Sequence, residues 1–192
     1  MAKKILLGTL IAIGVILVAF LAVVAMQPSH FRVERTANMT APPEAIFAQV
    51  NDFQNWGAWS PWAQLDPNAK NTFEGPAVGE GAIFRWAGND EVGEGSMTIL
   101  ESRPSEFVKI KLAFIKPMED TATTEFILKP EGEQTAVTWN MYGENNFMAK
   151  AFCLFMDMDT MIGDQYEKGL ANIKSIVEAK PEPQPPTTDN AS

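Results

Sequence analysis

The chain has 192 residues, a formal net charge of −9, one cysteine and one histidine. That length suits one ordinary domain with appendages. The acidic surplus repels phosphate backbones and no basic stripe interleaved with aromatics is present, so the composition argues against nucleic acid as a partner. The lone Cys153 rules out an internal disulfide and a cysteine-built zinc site. Lying in an apolar run, it reads as an inert buried thiol.

In chain order, a short basic head comes first. Residues 1–4 carry Lys3 and Lys4, while all 24 acidic residues lie beyond residue 26. Residues 5–26 are uncharged and rich in Ile, Leu, Val and Ala. As a helix they rise roughly 33 Å, enough to cross a hydrocarbon core of about 30 Å. The run exceeds a signal-peptide core, so an uncleaved single-pass anchor is expected rather than a cleaved leader. Lys3 and Lys4 place the N-terminus in the cytoplasm and the rest on the outer, periplasmic side of the inner membrane. Residues 29–179 form the expected folded domain. Residues 180–192 contain Pro181, Pro183, Pro185 and Pro186 without a large apolar residue, and read as a disordered tail.

Within the domain, Phe31 to Met39 alternates as a strand. Ala41-Pro42-Pro43-Glu44 opens a short helix, with proline in the first turn where its missing N–H costs nothing. Then comes Asn51 to Trp62, which places Trp56, Trp59 and Trp62 at a spacing of three. Gly57 and Pro61 break any long helix there, so a second short helix is expected. The three indoles either plug one end of the core or rim the mouth of an apolar cavity. Strands follow near Ala82–Ala87, Gly95–Arg103, Phe107–Phe114, Thr121–Leu128 and Thr135–Tyr142, separated by glycine turns. Their period-2 pattern predicts an antiparallel sheet with one apolar face. From Phe147 to about Glu178 the apolar spacing changes to three and four, predicting one long amphipathic helix. Gly163 and Gly169 within it point to a bend or to close packing on the sheet. The fold class is α+β: a curved antiparallel sheet of about seven strands around a long C-terminal helix, two short helices after strand 1, and an N-terminal transmembrane helix.

This order, together with several segments, resembles the helix-grip fold of the START-related and birch-pollen-allergen superfamily, often called SRPBCC. The segments are Ala41-Pro42-Pro43-Glu44 with Ile46-Phe47, Asn51-Asp52-Phe53 with Trp56, Trp59-Ser60-Pro61-Trp62, Asp66-Pro67, Val92-Gly93-Glu94-Gly95, Thr135 to Trp139, and Gly169-Leu170 with Ile173-Lys174. More narrowly they look like its membrane-anchored polyketide cyclase/dehydrase and lipid-transport branch. The resemblance implies a deep apolar pocket between sheet and helix that binds a hydrophobic molecule.

Side chains expected to face that interior, and so to bind the ligand, are Trp56, Trp59, Trp62, Phe84, Trp86, Met97, Phe114, Phe126, Trp139, Met141, Phe155 and Met158. Leu112 and Ile99 share their faces. For any one residue, plain core packing is the simpler reading; as a set, so many aromatics and methionines suit an adaptable apolar pocket. Catalytic chemistry is poorly provided for. His30 is the only histidine and sits beside the anchor, so neither a histidine base nor a Ser-His-Asp triad can be built in the pocket. Asp157, Asp159 and Asp164 lack the loop spacing of a calcium site and read as a solvated helix face. Strand parity turns Arg85 and Glu125 to the outside, and no catalytic residue, metal or cofactor is assigned. Three readings stay open. The first is an anchored carrier for a lipid, isoprenoid or polyketide-like molecule; the others are an interaction protein with a filled cavity, and a cyclase or dehydratase acting on an apolar substrate. A protein partner is not specified by the sequence.

Overall fold

The computed structural model describes residues 2–179, so the proline-rich stretch 180–192 lies outside the described residues. It opens with helix α1 (Ala2–Ala25), which is long and apolar enough to cross a membrane. A signal sequence near an N-terminus passes the same length and composition test. Only Met26 to Ser29 separate it from strand β1 (His30–Met39).

The alternating strands form a seven-stranded antiparallel sheet in the order β1-β7-β6-β5-β4-β3-β2. The remaining strands are β2 (Lys70–Glu74), β3 (Ile83–Ala87), β4 (Glu94–Arg103), β5 (Phe107–Lys116), β6 (Asp120–Glu131) and β7 (Gln134–Glu144). Alternation places Val108 and Ile110, Ala122 to Leu128 at even positions, and Thr135 to Met141 at odd positions on the concave face, where they are buried. Strand β2 has no counterpart among the segments read from the sequence. Every one of its residues is exposed and it pairs with β3 alone, so no buried face stamps a period on it.

Between β1 and β2 the chain forms α2 (Pro43–Val50), a 3-10 turn at Phe53–Asn55, the single turn α3 (Trp56–Trp59), and a 3-10 turn at Pro61–Gln64. Asp52 starts the first of these turns by accepting the Gln54 N–H at 2.9 Å.

The single C-terminal helix expected from Phe147 to Glu178 is two helices, α4 (Phe147–Cys153) and α5 (Met158–Glu178). Apolar spacing runs through the junction, but capping interrupts it. Asp157 adopts an extended conformation and accepts the Thr160 N–H at 3.1 Å and its hydroxyl at 2.8 Å. That side chain satisfies orphan donors of a new N-terminus, which a solvated mid-helix aspartate would not do. The Thr160 contacts also hold the Asp157 carboxyl below the usual carboxylate range.

Helix α5 lies on β1, and two glycines set how closely. A Cβ on Gly163 would strike the Arg35 guanidinium, and one on Gly169 would come within 2.7 Å of the Trp139 ring and 3.4 Å of Pro61. Close packing, not a bend, therefore accounts for both. Arg35 is fixed by Asp159, at 3.1 Å from its carboxylate, and by Glu167 at 3.0 Å. Asp159, read from the sequence as merely solvated, is thus a fastening of α5 to the sheet edge. Asn172 adds a bond from its Nδ2 to the Trp59 carbonyl at 2.9 Å.

Gly169→Ala should destabilise the domain. Overpacking against an immobile indole costs about 1–3 kcal/mol, while the gain in helix propensity returns at most about 1 kcal/mol. Gly57→Ala is the control, since nothing lies within 4 Å of its would-be Cβ; it should be neutral or slightly stabilising. Urea denaturation followed by circular dichroism reads both.

Candidate functional site

The concave interior beneath α5 is filled by stacked and edge-on rings. Trp139 is the hub. Its ring lies 3.8 Å from Tyr166 at an interplanar angle of 9°, 4.8 Å from Phe126, 5.5 Å from Trp59, 6.1 Å from Trp62 and 6.3 Å from Trp56. The indole N–H groups of Trp139, Trp56 and Trp59 are paired. Trp139 Nε1 donates to Thr124 Oγ1 at 2.9 Å, and that hydroxyl donates to the Asn140 carbonyl at 2.8 Å. Trp56 and Trp59 donate to the Val50 and Gln49 carbonyls at 3.2 and 3.1 Å, the far end of α2. Burial in this ring stack pushes the Tyr166 phenol far above its ordinary value, only partly offset by Thr124.

The twelve residues expected to line a ligand pocket therefore divide. Trp56, Trp59, Phe126 and Trp139 are buried and form the plug, with Trp59 fully enclosed. Met97 and Met141 are also buried in the core. Trp62, Phe84, Trp86 and Phe114 are partly exposed; Phe84 stacks on Trp86 at 6.0 Å, and Trp86 meets Phe114 edge-on at 6.2 Å. Met158, the first residue of α5, is half-buried. Phe155 does not face the interior at all and is 79% exposed, because the break before Asp157 takes it off the α5 face. Cys153 is half-buried rather than buried, for the same reason.

A hollow of 1310 Å³ lies elsewhere, at the end of the sheet where β1 starts, β7 and β5 finish and β6 starts. Of the twelve residues only Phe114 lines it. Phe31, Ala122 and Gly143 join Phe114 from the concave face, and Ala113, Ile115, Thr123 and Tyr142 join from the convex face. Arg32, Glu119, Asp120 and Asn145 give it charged and polar margins. Phe31 and Ala122 were legible as inward residues of their strands, but nothing in the sequence says which end of a sheet stays open. A second hollow of 230 Å³ sits by Phe53, Phe73 and the loop 75–77.

On the convex face, Glu125 points outward as its parity requires, yet neighbours cover it. Tyr142 donates to it at 2.8 Å, and Lys109 lies 3.7 Å away. Burial, then the Glu125 carboxylate, raises the Tyr142 phenol. Arg85 is exposed and paired with Glu74 at 2.9 Å. Among the described residues no group of three or more His, Cys, Asp or Glu is placed to hold a metal ion.

With this geometry in hand, comparison places the chain. Residues 30–178 match the polyketide cyclase / dehydrase and lipid transport family, and the chain belongs to it. No curated protein matches the sequence. Similar solved structures include protein MLL2253 from Mesorhizobium loti, with a TM-score of 0.59 and 13% identity over 79% of this chain and 100% of that one. The ginseng major latex-like protein 151 from Panax ginseng has a TM-score of 0.57 and 12% identity, covering 79% and 100%. The Aha1 dimer from Colwellia psychrerythraea has a TM-score of 0.56 and 16% identity, covering 77% and 96%. At these identities the likeness shows the fold, a helix-grip domain.

Two measurements separate plug from rim. Trp59→Ala should cost about 3–5 kcal/mol of folding stability, the cost of an unfilled core cavity, whereas Trp62→Ala should cost clearly less. Alkaline titration checks the burial of the phenols. The chain has two tyrosines, and both hold their protons more tightly when folded. Above about pH 10 the unfolded chain ionises first, so stability falls as pH rises, by up to about 1.4 kcal/mol per unit for each tyrosine. Tyr166→Phe should remove part of that slope; tyrosinate absorbance of the native protein rising normally near pH 10 would contradict it.

Proposed function

We propose that this protein is a membrane-anchored carrier that holds a small hydrophobic molecule, a lipid, isoprenoid or polyketide-like compound, at the anchor end of its sheet. The observation that carries the reading is the placement of the 1310 Å³ hollow. Ser29 and His30, which follow α1 almost directly, form part of its lining. The hollow is open to solvent and reaches round the end of the sheet to both faces, so a guest of ordinary ligand-site size, about 300–1,000 Å³, would occupy only its concave part by Phe31, Phe114 and Ala122. Phe31, Phe114, Ile115 and Ala122 beside Arg32, Glu119 and Asp120 suit a guest with an apolar body and a polar end.

Helix α1 acts in this reading as an uncleaved anchor in the inner membrane, with Lys3 and Lys4 inside and the domain outside. Of the side chains read from the sequence, Phe114 meets the guest and Trp86 stands behind it. The plug residues act by filling the rest of the interior. The filled half also supports an alternative reading, an interaction protein without a guest, and the same experiment decides between them.

The full chain is purified from membranes and its retained small molecules are extracted for mass spectrometry. A stoichiometric apolar compound is expected, and Phe114→Asp, which sets a carboxylate against the apolar body of the guest, should abolish retention in protein that still unfolds cooperatively. Brominated fatty-acid or isoprenoid probes should quench tryptophan emission, and Trp86→Phe should remove most of that quenching. Bare protein together with no quenching would count for the interaction protein.

A further inference from the structure

The geometry points to a second membrane contact beside α1: helix α4 and the turn after it lie in the bilayer face, with their exposed apolar side chains among the lipid acyl chains. This rests on the reading of α1 as a membrane anchor.

The patch is unusual for a surface in water. Phe147, Met148, Phe152, Phe155, Met156 and Met161 are all exposed within one short stretch, and Lys150 is the only charged residue between Phe147 and Met156. Contiguous exposed apolar area of this kind marks a site of association. What covers it follows from its neighbour. The Phe155 ring lies 6.5 Å from Phe20 of α1, stacked at 28°, and α1 and α4 pack together. Phe20 sits five residues before the end of α1 at Ala25, which is about 7.5 Å down the helix axis. When α1 crosses a bilayer, Phe155 is thereby held at the depth of the acyl chains nearest the headgroups. Interfacial helices bury their apolar faces to about 5–10 Å, so the depth agrees.

The linker leaves little freedom to avoid this contact. Met26 to Ser29 span at most about 14 Å, and they are tied down. Asn145 donates its backbone N–H to the Ser29 carbonyl at 2.8 Å and its Nδ2 to the Pro28 carbonyl at 3.2 Å. Lys150 Nζ donates to Ser29 Oγ at 3.0 Å. Charge does not draw the domain to the surface, since the protein is acidic overall and anionic headgroups attract basic segments. The attraction is apolar and local. Its consequence is orientation: the end of the sheet carrying the hollow faces the lipid.

The test uses the full chain with Cys153→Ala in vesicles of phosphatidylethanolamine and phosphatidylglycerol. Single nitroxide labels are placed at Phe155→Cys, Met148→Cys and, as a control at the exposed end of β6, Glu131→Cys. Collision rates with oxygen and with a water-soluble nickel chelate are compared, and alkaline carbonate extraction is run in parallel. The expected result is a several-fold preference for oxygen at positions 155 and 148, the reverse at 131, and protein resistant to extraction. Resistant protein with labels 155 and 148 in water overturns this inference and leaves the anchor standing. Resistant protein with those labels shielded from both reagents also overturns it, and assigns the patch to a second copy of the chain. Extractable protein with aqueous labels overturns both readings.

Discussion

The arrangement depends on one contact, the parallel stack of Trp139 on Tyr166 at 3.8 Å. Trp139 stands at the middle of β7, between β1 and β6, and its ring fills the centre of the concave face. A ring so placed admits a helix above it only if the helix offers no side chain at the point of closest approach. Gly169 supplies that gap, and Tyr166, one turn earlier, supplies the flat partner. The buried indole N–H would be costly unpaired, and Thr124 on the adjoining strand accepts it. Thr124 has already spent its own proton on the Asn140 carbonyl. Sequence, strand pairing and helix approach thus meet in a few atoms. Trp56, Trp59 and Phe126 then close around them.

A second fastening secures the same helix by different physics. Arg35 rises from the concave face of β1 and is held by two carboxylates of α5, one turn before and one turn after Gly163. The pairing is partly exposed on the carboxylate side, so its contribution to stability is modest and salt-sensitive. Its value is positional. It fixes the N-terminal half of α5 at the sheet edge, while the aromatic stack fixes the middle, and together they forbid sliding along the helix axis.

Much of this was legible from the residues. Period-2 alternation gave five of the strands after β1 because each turns one apolar face to the core, fully or, in β3, partly buried; β2, with every residue exposed, left no trace. The spacing of Tyr166, Leu170, Ile173 and Val177 gave α5, and Gly163 and Gly169 pointed to a bend or to close packing, of which the structure shows the second. Periodicity failed at Leu154 to Met156, where apolar residues continue but serve a different surface. There the decisive signal was the Asp157–Thr160 cap, which is local and polar and leaves hydrophobic spacing untouched. The division of the twelve expected pocket residues between core and surface has a related cause. Parity tells which face a side chain takes, yet filling or lining depends on which rings reach the centre. Trp59, Phe126 and Trp139 reach it; Phe114, at the far end of β5, does not.

The filled and hollow halves also bear on how any guest can move. Lifting α5 to admit a molecule beneath it means unstacking Trp139 from Tyr166, leaving the Trp59 carbonyl without Asn172, and parting Arg35 from both carboxylates. Each loss is moderate alone, but they are made by one rigid helix and must be given up together. The hollow at the other end needs none of these contacts to open, because its walls come from β1, β5, β6 and β7 and the segment leading out of α1. The hollow opens at the end of the sheet, and no residue of α5 lines it. Trp56 and Trp59 fill the interior beneath α5 with rings 4.6 Å apart, which leaves the larger free volume at the other end of the sheet.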